Sequence, residues 1–282
     1  MGKNIVKYIS ILIVVSITIG IFITVYSFAG KVQETTDIRD KAKQELIYLD
    51  KRLVSVINSL NNLDAESLIV NNEITIDKAN GGSNEGENKD SSNETESKAE
   101  VTTINTKSIL TRDKNDIDWK YINTTLEEVN SSWAIINLDL KSNGVKDESL
   151  SSFGSNMDML LKYTSAQDKQ NSLISLANLY SLIPDYESNL QNESRDVELK
   201  YLKSSVISSY ALLDTDRWAD IYLMINDAEM NMSKLMGITN NSIGMQKIEL
   251  ELKEYIKSIN DKDINLCYMK YYYLIKDIEN EE

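Results

Sequence analysis

The chain has 282 residues, 30 of them basic and 44 acidic, for a net charge of −14; it holds no histidine, one cysteine and one proline. The missing histidine excludes a histidine general base and any zinc or di-iron site that needs imidazole. A single cysteine excludes an internal disulfide and a thiolate cluster, and the acidity sets the chain against nucleic acid and anionic lipid.

The first element is Ile9 to Ala29, an uncharged run. At about 1.5 Å per residue its helix reaches about 32 Å, the thickness of a bilayer's hydrocarbon core. Tyr8 and Tyr26 sit near its ends, where amphipathic rings favour the headgroup layer. Residues 1–30 therefore read as a transmembrane signal-anchor. Cleavage after Ser27-Phe28-Ala29 is the competing reading, but the apolar run exceeds the usual signal-peptide core. Lys3 and Lys7 form a short basic tail before the run, the form of an export signal. That places the bulk of the chain outside the cytoplasm, although Lys31, Arg39, Lys41 and Lys43 on the other flank argue the opposite way. Ser16, Gly20 and Thr24, four apart, would let two anchors approach closely, so a homodimer is one expectation.

Residues 31–69 hold an amphipathic helix from about Thr35 to Asp64. Leu46, Leu49, Leu53, Val56, Leu60 and Leu63 follow the three-four spacing of a heptad coiled coil. The stripe has to be covered, by a second copy or by the chain's own head, and folding back is favoured because a tether makes it intramolecular. Residues 70–112 are polar and acidic, with too few apolar side chains to offset ordering entropy, and read as a disordered linker.

Residues 113–282 read as an α-helical bundle domain. Trp119, Ile122, Leu126, Val129, Trp133, Ile136 and Leu140 keep one unbroken seam, capped by Asp116 or Asp118 and ended before Gly144. Leu150, Phe153, Met157 and Leu160 start a broken helix whose register slips near Thr164. It resumes at Leu173 with Ser165, and Asp168 three residues on, as a cap for the restart, and Pro184 ends or kinks it. Leu199 to Leu213 is one helix, with Asp214-Thr215-Asp216 as turn and cap. Trp218 to Leu235, Met245 to Ile259 and Ile264 to Ile278 each carry a further stripe. No stretch alternates with period two, so the fold class is all-α: an antiparallel multi-helix bundle or a helical-hairpin array behind an N-terminal membrane helix. The hairpin lengths resemble those of tetratricopeptide-like arrays, but the small-residue pattern of those repeats does not align between the hairpins, so no repeat family is assigned.

Four constellations bear on chemistry. Asp261, Asp263 and Asn265 open like a calcium loop, but Leu266 replaces its glycine and Tyr272 its bidentate glutamate, so helix capping is expected. The pairs Met157/Met159 and Met230/Met232 offer thioethers for copper, but residues two apart point away from each other. Asp214, Asp216 and Asp220 surround Trp218 as a glycosidase pair would, and the first two read as caps. Tyr268, Tyr271, Tyr272 and Tyr273 cover more than one helical face, with Tyr271 in the core; Cys267 reads as a small apolar core residue. No catalytic, cofactor or metal residue is assigned. The expectation is a membrane-bound, non-enzymatic protein that acts through a protein partner as scaffold, adaptor or accessory subunit. The alternative is a ligand-binding sensor or co-receptor domain.

Overall fold

Most of the helices form where the sequence keeps an apolar stripe at three-four spacing, and several start at a side-chain cap. The computed structural model describes residues 38–62, 117–191, 194–239 and 242–282. Among the described residues the regular elements are all helical: α1 (38–60), α2 (Trp119–Ser142), α3 (Asp147–Ser165), α4 (Lys169–Tyr180), α5 (Leu182–Leu190), α6 (Arg195–Ala211), α7 (Trp218–Ile238), α8 (Ile243–Asn260) and α9 (Ile264–Glu281). The expected anchor, the linker and Leu63 lie outside the described residues. Among those described, no helix is long and apolar enough to cross a membrane.

The α2 seam is buried from Ile122 to Leu140. Asp118 caps its start, its carboxylate accepting the Tyr121 N–H at 2.9 Å. The helix ends in a Schellman turn: Val145 N–H donates to the Leu140 carbonyl at 3.1 Å and Gly144 N–H to that of Lys141 at 3.0 Å. Gly144 takes φ +92°, a conformation that a side chain disfavours.

The broken helix is broken more thoroughly than the sequence suggests. Asp168, not Ser165, caps the restart, accepting from Asn171 N–H at 3.1 Å. The second break falls at Ser181, three residues before Pro184, and a separate helix, α5, follows. Pro184 sits in the first turn of α5, where its missing N–H leaves no helical bond unmade. The stretch read as one helix is thus α3 and α4, with α5 added.

Gln167 closes α3 in the left-handed region at φ +55°, between the same two turn bonds as Gly144: Gln167 N–H to Thr164 and Asp168 N–H to Tyr163. An L-residue there costs about 1–2 kcal/mol, against about 0.5–1 kcal/mol of extra chain entropy for glycine. Gln167 is exposed. Gln167→Gly is therefore expected to stabilise the fold by about 0.5–1 kcal/mol, read as a higher urea midpoint with unchanged slope.

The helices pack as neighbours in sequence: α2 on α3, α3 on α4, α6 on α7, α7 on α8 and α8 on α9. The chain closes on itself through α6, which also touches α4, α5 and α9. Two aromatic stacks tie these layers. Trp133 of α2 lies 3.7 Å from Phe153 of α3 between ring centroids, with Tyr186 of α5 beside them. Tyr210 of α6 stacks at 3.7 Å on Tyr271 of α9, which Tyr255 of α8 flanks.

α1 runs antiparallel to α2. Lys41 pairs with Asp139 and Arg52 with Glu128, and the Ser55 hydroxyl meets that of Tyr121 at 2.8 Å. Ala42, Leu46, Leu49, Leu53, Val54, Val56, Ile57 and Leu60 are all buried in the common core. Val54 and Ile57 widen the stripe beyond the narrow seam of a two-stranded coiled coil. The stripe is covered by the chain's own head, and the helix stops at residue 60 in an Asn61-Asn62 turn with Asn62 at φ 51°.

α6 departs from the expectation of one apolar stripe per helix. Its buried residues cover all but the narrow strip of Tyr201, Ser205 and Ser208 and include Glu198, Lys200, Lys203, Ser204 and Ser209. A helix at the centre of the bundle has too narrow a solvent side to sort all its polar residues onto it.

Candidate functional site

The centre of interest is a cluster of ions inside this core. Lys200 and Lys203 lie one turn apart on α6, with the Lys203 side chain 1% and that of Lys200 5% exposed. Ammonium groups this deep require partners. α1 supplies Asp50, α4 Tyr180, α5 Glu187, and the end of α9 Glu279 and Glu282. Lys203 Nζ lies 3.1 Å from Asp50, 2.8 Å from Glu282 and 3.7 Å from Glu279. Lys200 Nζ lies 3.1 Å from Glu187 and 4.0 Å from Glu282. The Tyr180 hydroxyl donates to Asp50 at 2.5 Å, and Lys203 also sits over the Tyr180 ring.

The titrations follow from this geometry. Burial pushes the Asp50 carboxyl up, but the Lys203 ammonium and the Tyr180 hydroxyl outweigh it, and Asp50 lies below its ordinary value. Burial pushes Glu282 up to about 6, with Lys203 opposing and Asp50 reinforcing the rise. Burial likewise raises Glu279. Burial works against the charge on Lys203, yet Asp50, Glu282 and Glu279 together hold it above the ordinary lysine value. Burial, with Asp50 beside it, lifts the Tyr180 phenol well above its ordinary value. An ammonium held protonated by three carboxylates is unsuited to act as base or Schiff-base nucleophile. The chemistry of the cluster is holding: it fastens α1, α4, α5, α6 and α9 at one point.

A smaller contact fastens α1 to α2. Lys41 Nζ lies 2.6 Å from Asp139 and 3.7 Å from Glu45. Burial, with a hydrogen bond to Asp139, pushes Glu45 up to about 7.

The motifs read from sequence lie elsewhere and do not converge. Asp263 caps α9 through Leu266 N–H at 3.1 Å, and Asp261 closes α8, with Lys262 left-handed at φ 53°. Met157 and Met232 are buried whereas Met159 and Met230 are exposed, so neither pair can chelate. Asp214 and Asp216 do not cap α7, contrary to expectation. Arg217 takes that position, its N–H bonded to the Thr215 hydroxyl at 3.2 Å. Asp214 instead accepts the Tyr268 hydroxyl from α9, and Asp220 pairs with Arg217. Three of the four tyrosines of α9 are buried, Tyr268, Tyr271 and Tyr272, leaving Tyr273 at the surface. Cys267 is buried, and burial raises its thiol. Among the described residues no group of three or more histidine, cysteine, aspartate or glutamate side chains is placed to hold a metal ion.

The ion cluster joins residues far apart in the sequence. One signal was present: Asp50 lies between Leu46, Leu53, Val54 and Ile57 on the same helical face, a lone acid inside an apolar stripe. Comparison with protein-family models, with curated proteins and with solved structures gave no match.

Proposed function

We propose that the chain is a single-pass membrane protein whose helical head acts outside the cytoplasm by binding a protein partner, as a scaffold, adaptor or accessory subunit. The uncharged run Ile9–Ala29 supports the membrane part of this reading. The observation that carries the partner part is the outer face of α7. Ala219, Leu223, Asn226, Met230, Ser233 and Gly237 are all exposed and follow each other at spacings of four and three. They form a second stripe, separate from the buried one of Ile221, Ile225, Ala228, Met232 and Leu235. Leu223 is 57% and Met230 58% exposed. A solvated face of so acidic a protein would be expected to carry charge, and this one carries none. Its edges do: Asp220 and Asp227 on one side, Glu229 on the other, with Lys234 near the end. Small residues at both ends admit a close neighbour, so the fitting partner is an apolar helix with basic flanks.

The test places a photo-crosslinker at Asn226 in membranes that withstand carbonate extraction. The expected result is one discrete crosslinked membrane protein, lost in the Leu223→Lys, Met230→Lys double variant. Both side chains are exposed, so that variant should keep its stability within about 0.5 kcal/mol. Extraction by carbonate, or no discrete product, refutes the reading.

A further inference from the structure

Docking of α1 adds its own carboxylates, Glu45 and Asp50, to those of the head. At the rim, Glu45 of α1 and Asp139 of α2 share the Lys41 ammonium. Deeper in, Asp50 of α1 joins Glu187 of α5 around Lys200 and Lys203 of α6, with Glu279 and Glu282 at the end of α9 reaching the same lysines from the surface. Tyr180 of α4 faces the same point, and Lys51 of α1 acts on Glu279 from the solvent side. The site thus sets four carboxylates against two ammonium groups, an excess of two negative charges that a bound proton halves.

We propose that α1 is a pH-responsive clasp, which grips the head in mildly acidic conditions and loosens as the pH rises through neutrality. This inference rests on the docked interface and not on the partner reading. The sign follows from proton counting. Docked, Glu282 titrates near 6 and Glu45 near 7, both raised first by burial. Undocked, such carboxyls return towards their ordinary value near 4.5. Between those limits the docked form holds more protons, so docking weakens as pH rises and levels off once both groups are ionised. Asp50 acts in the opposite sense. Its lowered value keeps it ionised, and its grip on Lys203 fails only below about pH 4.

The chain holds no histidine, so no ordinary side chain supplies a response between pH 5 and 8. Cys267, raised above its usual range, stays protonated there. A response in this window therefore belongs to displaced carboxyls. Each unit of displacement is a tenfold factor, trimmed at the rim because Lys41 is half exposed and screened by solvent. The docking constant is expected to fall roughly ten- to a hundredfold from pH 5 to pH 8.

The experiment uses the full chain in detergent, with spin labels on cysteines replacing exposed Gln44 of α1 and Asn130 of α2; buried Cys267 stays unlabelled. Label separation and helicity are followed through urea titrations at both pH values. The expected result is that the labels part at lower urea at pH 8 than at pH 5, before the head loses helicity. Glu45→Gln with Glu282→Gln should remove most of that difference. Glu45→Gln alone, at the rim, should remove part of it should the double variant not fold. Equal midpoints at the two pH values, separation only with global unfolding, or a pH difference untouched by the glutamines would overturn the clasp.

Discussion

Lys203→Ala is expected to destabilise the protein by about 3–5 kcal/mol at pH 8, the cost of breaking a buried ion pair from one side. Lys203 is the shared counter-ion of Asp50, Glu279 and Glu282, and both it and Asp50 are deeply buried. Without it Asp50 must remain charged with no ammonium in contact or take up a proton, and Glu282 keeps only the more distant Lys200. Uptake is less costly in acid, so the loss should be smaller at pH 5 than at pH 8. The sign agrees with linkage: carboxyls raised in the folded state make stability fall as pH rises. Lys203→Met separates charge from volume and should show the same pH trend with less cavity cost. Adding Asp50→Leu to Lys203→Met removes one of the stranded carboxylates together with its partner, and part of the lost stability should return. Urea unfolding of the wild type, Lys203→Met, Asp50→Leu and the double variant at both pH values gives the cycle, with Lys203→Ala measured beside it. A cost below about 1 kcal/mol for Lys203→Ala at pH 8 would mean that the ammonium does not hold the core.

The helices that the sequence reveals most plainly are those with one wet face and one dry one. α2, α7 and α8 keep their buried residues on stripes that match the 3.6-residue period, and the structure buries those stripes. α6 has no such signal, because its neighbours α4, α5, α7 and α9 enclose it. Its lysines read as surface residues until their partners are known, and Asp50 is 153 residues away in sequence from Lys203. Local spacing carries no information on a pair so distant. Caps divide in the same way. Asp118 and Asp263 bond to their own helices and are legible. Asp214 is drawn off by Tyr268, 54 residues on, and no local rule anticipates that. The fold-back of α1 was legible as a need, since its stripe had to be covered, and the identity of the cover was supplied by the tertiary structure.

These distinctions give the face of α2 a direct test, in which one helix supplies both the variant and its control. Leu126 is fully buried and Leu138 is 64% exposed, twelve residues apart on α2. Leu126→Asp would set a carboxylate in the core with its neighbours Ile122 and Val129 also fully buried. The group would have to protonate or draw water into the bundle, and the lost leucine packing adds to the cost. The expected destabilisation is more than about 4 kcal/mol, enough to unfold a domain whose whole stability is of the order of 5–15 kcal/mol. Leu138→Asp meets solvent on the outer side of the same helix, and its cost should stay within about 0.5 kcal/mol. Propensity does not confound the comparison, since both variants replace leucine with aspartate inside one helix. Thermal and urea unfolding followed by circular dichroism reads both. Destabilisation of equal size in the two variants would mean that α2 does not bury the face from Ile122 to Leu140. Preserved stability of Leu126→Asp would place that face outside the core altogether.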